Sequence, residues 1–227
     1  MKHLLRILLL TGLWFITVSV ILVLLFKWVP VPVTPLMVIR CVEQKVNGKP
    51  LKLKHEWVAG KNISRNLQLA VICSEDQNFV NHKGFDFQAI DKAVQESKTG
   101  HKRLRGASTI SQQTAKNVFL WPGRSWVRKG LEVWFTALIE LFWSKERIMC
   151  VYLNSIEMGD GVYGAQAAAK ICFGTTAARL SAYQAASIAS VLPNPRRYNA
   201  AHPGPYVSEH IQWVLGQMQQ YGPLELR

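Results

Sequence analysis

Acidic residues are scarce in this chain of 227 residues, with 14 Asp and Glu against 27 Lys and Arg and a formal net charge of +13. A positive excess of this size predicts an anionic partner, which is a nucleic acid, a membrane surface or an anionic substrate. The chain is nonetheless 49% apolar, so it can bury a core and is not a disordered tail. Its length leaves room for one large domain or two small ones.

Cysteine is also rare, and the four residues are too few to form the framework of a small disulfide-stapled protein. No Cys-x-x-Cys motif occurs and no His lies at zinc-finger spacing, so a metal site is not expected. Cys73, Cys150 and Cys172 lie in apolar helical patterns that are typical of small core residues. The sequence leaves the disulfide state of these three and of Cys41 open.

Residues 7–26 contain neither a charged residue nor a proline, and a helix of this length rises about 30 Å, the thickness of a bilayer core. The alternative is a cleaved signal peptide. However, the apolar run exceeds the ~7–15 residues of a signal sequence, and no Ala-x-Ala cleavage site follows it. We therefore predict an uncleaved anchor, with Lys2 and Arg6 holding the N-terminus inside and the rest of the chain beyond the membrane.

Strand-like alternation of apolar and polar residues is nearly absent from the rest of the chain, which indicates a mainly α fold. Several prolines predict a stalk, within which residues 36–42 could form a short strand. We divide the chain into a cytoplasmic tail at 1–6, an anchor at 7–26, the stalk at 27–60 and a helical domain at 61–227. The predicted helix caps in this domain are Asp86, Ser108 or Thr109, Ser125, Ser144 and Ser181.

Much of the positive charge is concentrated in one acid-free stretch, residues 98–129. A solvated basic face is the usual explanation of such a run, but its density favours an anion-binding site. The Lys-Thr-Gly tripeptide at residues 98–100 matches one signature of serine β-lactam-binding enzymes, and we treat it as chance because the chain has no Ser-x-x-Lys. The eight basic residues are Lys98, Lys102, Arg103, Arg105, Lys116, Arg124, Arg128 and Lys129.

Adjacent carboxylates, Glu75 and Asp76, precede this stretch at the end of a predicted helix. Phe79 and His82 follow them within one short segment. An apolar surround raises the pKa of a carboxylate and suits it to act as a base, although an exposed helix end with chance acids gives the same pattern.

Polar residues also share one face of the next predicted helix, where Thr109, Gln113 and Lys116 are four and three residues apart. A hydroxyl, an amide and an ammonium group on one stripe suit a phosphate or a sugar. The helix start that follows Gly106-Ala107 is itself an anion site. The alternative is an ordinary solvent-exposed face.

A third pattern places Glu132 one helical turn after Arg128, which predicts either a surface ion pair or part of a cleft lining. A fourth pattern, residues 152–174, is rich in Gly and Ala and is typical of close helix packing. We interpret it as mainly architectural, with Glu157 as a reserve candidate carboxylate.

In this order and spacing, the four blocks resemble the glycosyltransferase domain of bacterial peptidoglycan polymerases, glycosyltransferase family 51. Residues 180–199 are similar to a fifth block of that family. The resemblance covers about residues 66–199. It implies a lysozyme-like helical glycosyltransferase domain with a membrane-proximal jaw lobe, preceded by one transmembrane helix. The chain ends too early for a transpeptidase domain, so we expect the single-domain form, anchored in the bacterial inner membrane with its catalytic domain in the periplasm.

The resemblance also implies a reaction, in which lipid II and the growing glycan chain are joined into β-1,4 strands. The donor inverts at C1 and undecaprenyl pyrophosphate leaves. Glu75 matches the family's general base and Glu132 its second essential carboxylate, while Lys116, Arg128 and Lys129 match bases around the pyrophosphate. The matching substrate-binding positions are Asp76, Phe79, His82, Ser108, Thr109, Gln113, Lys116, Asn117, Arg128 and Lys129.

No cofactor is required by the sequence. A divalent cation, Mg²⁺ or Mn²⁺, is compatible with a pyrophosphate substrate, but no dedicated ligand set is visible. The expected partners are inner membrane lipid and cell-wall synthesis or division proteins. Nucleic acid is not expected, because the anchor turns the domain away from it. The family usually has Glu where this chain has Gln184, and Ser181-x-x-Gln184 fits a helix capping box, so this departure predicts a structural role.

Two rival functions fit parts of the sequence. A lytic, lysozyme-like glycan-cleaving enzyme also uses carboxylates in a helical cleft. Its neutral substrate needs no basic belt around Arg128 and Lys129, which favours the polymerase. A non-catalytic membrane scaffold is the other rival, and it would tolerate the loss of Glu75.

Overall fold

A computed structural model describes residues 2–98, 108–123 and 125–226, and the chain is mainly helical over these ranges, as the sequence predicts. Three short strands form one sheet, namely β1 (Lys54–His55), β2 (Glu157–Gly159) and β3 (Val162–Tyr163). The helices are α1 (Lys2–Trp28), α2 (Pro35–Val46), α3 (Arg65–Glu75), α4 (Phe87–Lys98), α5 (Ile110–Phe119), α6 (Trp126–Phe142), α7 (Lys145–Ser155), α8 (Ala165–Phe173), α9 (Ala182–Val191) and α10 (Pro205–Tyr221).

Short polar side chains fix where the helices begin. Ser125, Ser144 and Ser181 each accept a hydrogen bond from the backbone N–H three residues later, which confirms three predicted caps. Ser181 and Gln184 form the reciprocal hydrogen bonds of a capping box. Gln184 therefore has the structural role that the sequence predicts. For α5, the cap is Thr109 rather than Ser108.

The stalk contains a helix where the sequence favours a strand. Residues 36–42 belong to α2, so the prediction of a strand there is wrong. Thr34 accepts a hydrogen bond from Met37 N (3.3 Å), and Pro35 occupies the first helical position, where its missing N–H costs nothing. A short apolar run fits a strand as well as one face of a helix, and here packing of α2 against α5 decides the outcome.

The small sheet ties the stalk to the loop after α7, because β3 pairs in parallel with β1 and antiparallel with β2. At Gly161 (φ +72°), a Cβ would lie 2.4 Å from the backbone oxygen of Lys52, so this approach requires glycine. Asn154 holds the same segment, accepting from Val58 N (2.9 Å) and donating to Val58 O (3.0 Å). These contacts support the architectural interpretation of the block.

The helical core consists of two groups of packed helices. α3 packs against α9 and α10, and α5 packs against α6 and α7. Phe79, Ile110 and Tyr152 are among the largest fully buried side chains, and each adjoins a residue of the site described below. The end of α3 and one face of α5 are therefore held by rigid packing.

Among the described residues, α1 is the one helix long and apolar enough to cross a membrane, judged by length and composition. It contains the predicted anchor, residues 7–26, and its mean hydropathy reaches 2.7. The first half of α1 is exposed, whereas Ser19 and Val23 are buried in contact with the domain, where α1 packs on α6. The exact division of the chain at residues 6, 26 and 60 stays a prediction.

Side chains of the domain fasten the C-terminal end of α1. Trp143 Nε1 donates to Val23 O (2.8 Å). The Arg147 guanidinium donates to Phe26 O (2.6 and 3.0 Å) and Val29 O (2.7 Å). The last carbonyls of a helix have no partner within it, so Arg147 satisfies Phe26 O, a group that α1 leaves unpaired. The C-terminal end of α1 is therefore fixed to the residues at the end of α6 and the start of α7.

Candidate active site

Glu75 is the last residue of α3 and lines a cavity of about 390 Å³. Asp76, Ser108 and Thr109 line the same cavity, which brings four of the predicted site residues together. Trp213 of α10 lines it from the opposite end of the sequence. A carboxylate, hydroxyl groups and an aromatic ring therefore surround one space large enough for a sugar ring.

A chain of two hydrogen bonds orients the Glu75 carboxylate. Gln113 Nε2 donates to Glu75 Oε2 (2.8 Å), and Gln113 Oε1 accepts from the Tyr152 hydroxyl (3.2 Å). Because the Tyr152 hydroxyl donates to Gln113 Oε1, it fixes which end of the amide faces Glu75. Tyr152 itself is fully buried, so the whole chain is anchored in the core.

The surroundings of Glu75 favour its protonated form more than water does. Burial raises the pKa of Glu75, and the charge of Asp76 adds to this effect. The hydrogen bond from Gln113 and the positive charge of Lys116 act in the other direction without cancelling it. A carboxyl group with a raised pKa is a stronger base when ionised, which is what a general base requires.

Asp76 joins three parts of the chain beside Glu75. Its carboxylate accepts from Ile110 N at the start of α5 (2.9 Å) and from His82 Nε2 (2.9 and 3.0 Å). Since His82 Nδ1 accepts from Gly84 N (3.0 Å), the network assigns the proton to Nε2, which donates to Asp76. Asp76 and His82 thus hold α5 at a fixed distance from α3 instead of facing the substrate.

Phe79 and Thr109 support the same loop from inside. Phe79 is fully buried, and its ring lies edge-on to the His82 ring with centroids 6.2 Å apart. Thr109 Oγ1 donates to Gly84 O (2.7 Å) and caps α5. The predicted face of Thr109, Gln113 and Lys116 is therefore wrong at its first member, because a cap residue precedes the helix and turns its side chain inward.

Lys116 lies between the two candidate carboxylates. Burial lowers the pKa of Lys116, while the charge of Glu132 raises it, Arg128 and Lys129 lower it, and Glu75 raises it. Lys116 is therefore close enough to feel the charge of both Glu75 and Glu132. It shares the partly exposed face of α5 with Gln113.

Glu132 forms buried ion pairs and not the surface pair that its spacing also allowed. Arg128 Nη1 contacts Glu132 Oε2 (2.7 Å), and Lys129 Nζ contacts Glu132 Oε1. Glu132 is 3% exposed and Arg128 is 9% exposed, while Lys129 reaches further into solvent. Arg128, Lys129 and Lys116 thus place three positive charges around one buried carboxylate.

The sequence matches the family model described as "Transglycosylase" over residues 43–219. The chain belongs to the transglycosylase family. A protein of Pseudomonas putida strain F1 named biosynthetic peptidoglycan transglycosylase is 57% identical over 210 residues, 92% of this chain and 89% of that protein. Proteins with the same name from Bacteroides thetaiotaomicron (56% identity; 93% and 86% coverage) and Stutzerimonas stutzeri (54%; 92% and 86%) are similar over most of their length. The identification from sequence motifs is confirmed, and with it the glycosyltransferase activity and the lysozyme-like helical domain.

Some of the predicted positions of this transglycosylase do not meet in the cavity. Asn117 is buried within the fold and does not line it. Glu157 is buried in β2, where Gly161 N and the Tyr163 hydroxyl donate to it (both 3.4 Å), so the reserve carboxylate belongs to the sheet. The basic residues at positions 102, 103, 105 and 124, the Gly106-Ala107 pair and most of the Lys-Thr-Gly tripeptide lie outside the described residues.

The sequence patterns did not predict three residues that contribute to the transglycosylase site. Tyr152 orients Gln113, and Trp213 lines the cavity from α10. Glu140 accepts hydrogen bonds from Ser111 and from Lys145 (2.7 Å) beneath the loop that carries His82. No local spacing links these residues to Glu75, because they reach it from other helices through tertiary packing.

The donor set around Glu132 does not fit a divalent cation. Both of its oxygens are engaged by positively charged groups, and a cation would have to displace one of them. Among the described residues, no group of three or more His, Cys, Asp or Glu side chains lies together in a way that could hold a metal ion.

Proposed function

We propose that this transglycosylase polymerises lipid II into β-1,4 glycan strands, with Glu75 as the general base. The observation that carries the proposal is the Glu75 site, a half-buried carboxylate of raised pKa that Gln113 orients inside an open cavity. The names of the relatives, biosynthetic peptidoglycan transglycosylases, support the substrate class.

In the proposed step, Glu75 takes the proton from the 4-hydroxyl of the acceptor sugar. The hydroxyl oxygen forms a bond to C1 of the growing chain on the face opposite the pyrophosphate. The bond between C1 and the phosphate oxygen breaks, and its electron pair leaves with undecaprenyl pyrophosphate. Attack from the opposite face converts an α-linked donor into a β-1,4 linkage.

The basic cluster formed by Lys116, Arg128 and Lys129 is the proposed site of the pyrophosphate. Negative charge develops on the leaving oxygen as C1 is attacked, and fixed positive charges stabilise it without having to reorganise. Glu132 holds Arg128 and Lys129 in place through its two ion pairs. In this proposal it acts by positioning these charges, and the proton chemistry falls to Glu75.

In this proposal α1 anchors the domain in the membrane that carries the lipid-linked substrate. Hydrogen bonds from Trp143 and Arg147 to the C-terminal part of α1 support it, because they would hold the domain at a fixed distance from the bilayer. Two exposed tryptophans, Trp121 and Trp126, lie near the start of α6 and suit a membrane interface. With Lys2 and Arg6 inside, the domain would face the periplasm from the inner membrane.

The test is incubation of the full-length protein in detergent or vesicles with labelled lipid II, followed by gel separation of glycan strands. We expect a ladder of strands that a β-1,4-specific muramidase degrades, and no ladder with Glu75→Gln. Glu146→Gln, which alters an exposed carboxylate on α7, is the matched control and should polymerise normally. Absence of strands with the wild type would refute the proposed substrate, and an undiminished ladder with Glu75→Gln would refute the role of Glu75.

A further inference from the structure

The C-terminal helix α10 has an outer face that the proposed function does not use. Its inner stripe, Val207, Ile211, Val214 and Met218, is buried against the core. Its outer stripe, Tyr206, His210, Trp213 and Gln217, repeats with the same helical spacing of three and four residues. α10 follows the five sequence blocks and lies almost entirely within the family-model match, but none of those blocks assigns a role to its aromatic residues.

Three aromatic side chains of this face follow in a row after Tyr198, which lies between α9 and α10. We call this row the aromatic ridge and define it as Tyr198, Tyr206, His210 and Trp213. The ring centroids of Tyr198 and Tyr206 are 5.7 Å apart. Tyr206 and His210 are nearly parallel at 7° and 6.5 Å, and His210 and Trp213 lie 5.3 Å apart at 21°. Tyr206 is 59% exposed and Trp213 46% exposed, so the row presents a continuous aromatic surface to solvent.

The ridge is continuous with the catalytic cavity. Trp213 lines the cavity that contains Glu75, and it also lines a second hollow of about 340 Å³ together with Tyr206, Glu209 and His210. Gln217, the next residue along the outer stripe, accepts a hydrogen bond from Gln77, two residues after Glu75 (3.0 Å). One end of the ridge therefore opens directly onto the site where glycosidic bonds would form.

We propose that the aromatic ridge binds the sugar rings of the glycan strand where it passes out of the catalytic cavity. A pyranose ring presents an apolar C–H face and a rim of hydroxyl groups. Exposed aromatic rings with polar edges, such as those of Tyr and Trp, match both parts. The inference rests on the proposed function, because it assumes that the product is a strand longer than the cavity.

The character of the ridge favours a glycan over a lipid or a charged ligand. Burial lowers the pKa of His210, so its ring contributes a neutral surface at physiological pH. Among the described residues that line the hollow there is one carboxylate, Glu209, and no lysine or arginine, which does not suit an anion. Each ring carries a hydroxyl or N–H at its edge, which suits sugar hydroxyls better than acyl chains.

The first arm of the test is direct binding, because it does not depend on polymerisation. The probe is a hexamer of β-1,4-linked N-acetylglucosamine, titrated calorimetrically into the full-length protein in detergent. We expect Trp213→Ala with Tyr206→Ala to weaken binding at least tenfold, and Trp213→Phe, which keeps a flat ring, to stay within about threefold of wild type. Gln212→Ala, an exposed change on the same helix, is the control. Equal binding by wild type and the double variant overturns the proposal.

The second arm is the length of the strands made from labelled lipid II. We expect Tyr206→Ala, which lies outside the cavity and leaves the cavity-lining Trp213 in place, to form the first glycosidic bond at a rate within about twofold of wild type while producing strands several times shorter. Unchanged strand length overturns the proposal. If the wild type makes no strands but the ridge still determines hexamer binding, the proposed function fails and the glycan site stands. The fluorescence of Trp213 is the part of the signal that Trp213→Phe removes. If brominated lipids in vesicles quench this part, the ridge lies in the bilayer and the proposal is overturned.

Discussion

Glu75 on α3 and Glu132 on α6 have chemically identical side chains, and the fold surrounds them with different partners. Glu75 receives one neutral amide hydrogen bond, from Gln113, and faces an open cavity. Glu132 is buried between Arg128 and Lys129, with both oxygens engaged by positive charge. A carboxylate left short of cationic partners is available to accept a proton, whereas one held in two ion pairs is suited to fixing the positions of the bases around it.

Lys116 connects the two carboxylates, since its pKa responds to the charge of both. Lys116 therefore lies between the proposed site of proton transfer at Glu75 and the proposed site of the leaving pyrophosphate near Glu132. The comparison predicts that variants at Glu75 alter proton transfer, that variants at Arg128 alter stability, and that variants at Lys116 alter both rate and pH dependence.

The largest effect should follow Glu75→Gln, which keeps the shape of the side chain and removes the base. General base catalysis contributes about 10²–10⁴-fold in rate, so we expect kcat for lipid II polymerisation to fall by roughly three orders of magnitude. The measurement is the initial rate of strand formation by the full-length protein. A loss of less than tenfold would assign the proton transfer to another group.

The stability of the same variant provides the control for misfolding. The pKa of Glu75 is raised in the folded state, so ionising it destabilises the fold above its ordinary pKa. Removing the charge should therefore raise Tm at neutral pH. This gain should disappear as the pH falls below the ordinary pKa of Glu, where both states hold the proton. A lower Tm for Glu75→Gln at neutral pH would contradict the unfavourable environment described for this carboxylate.

Lys116→Met should reduce activity by about 10²-fold, because it removes one preorganised positive charge from the proposed pyrophosphate site. It should also move the acidic limb of the pH–rate profile to higher pH, since the charge of Lys116 lowers the pKa of Glu75. Lys129→Met is the matched comparison, because Lys129 contacts Glu132 and should lower the rate without moving this limb. If the acidic limb does not move in Lys116→Met, the charge of Lys116 does not affect the pKa of Glu75.

Arg128→Ala should lower stability as well as activity, because it removes a charge from the proposed pyrophosphate site and leaves Glu132 buried with one cationic partner fewer. Breaking a buried ion pair costs about 3–5 kcal/mol, which corresponds to a fall in Tm of roughly 6–20 °C for a domain of this size. Lys52→Ala removes one partner of the exposed pair Lys52–Asp160, and it should cost about 1 kcal/mol or less. Similar Tm values for the two variants, measured by thermal unfolding in detergent, would mean that the Glu132 cluster is effectively solvated.

Local chemistry made part of this architecture predictable and left another part hidden. Ser125, Ser144 and Ser181 cap helices because a short hydroxyl side chain can reach the first N–H groups of its own helix, which a sequence shows directly. Residues 36–42 were predicted as a strand and form a helix, because a short apolar run has no periodicity that distinguishes a strand from a helix.

The positions of the two candidate carboxylates could be predicted from ordered motifs, but the contacts that surround them could not. The Tyr152–Gln113–Glu75 chain joins three helices, and Trp213 enters the cavity from a fourth. Such contacts depend on how α3, α5, α7 and α10 pack, which no spacing within one helix encodes. Thr109 shows the same limit at shorter range, since one residue separates a helix cap from a helix face.

The smallest effect should come from Tyr152→Phe. This change tests only the orientation of Gln113, the residue whose amide donates to Glu75. The Tyr152 hydroxyl donates to Gln113 Oε1, and without it the amide loses the contact that keeps its N–H directed at Glu75. A hydrogen bond of this kind contributes about 1 kcal/mol, so we expect kcat to fall about fivefold with little change in KM. Tyr163→Phe removes another buried phenol, next to Glu157, and should leave the rate unchanged. Equal rates for both variants would show that Gln113 keeps its orientation without Tyr152. Gln113 alone would then orient Glu75, and Tyr152 would have no positioning role.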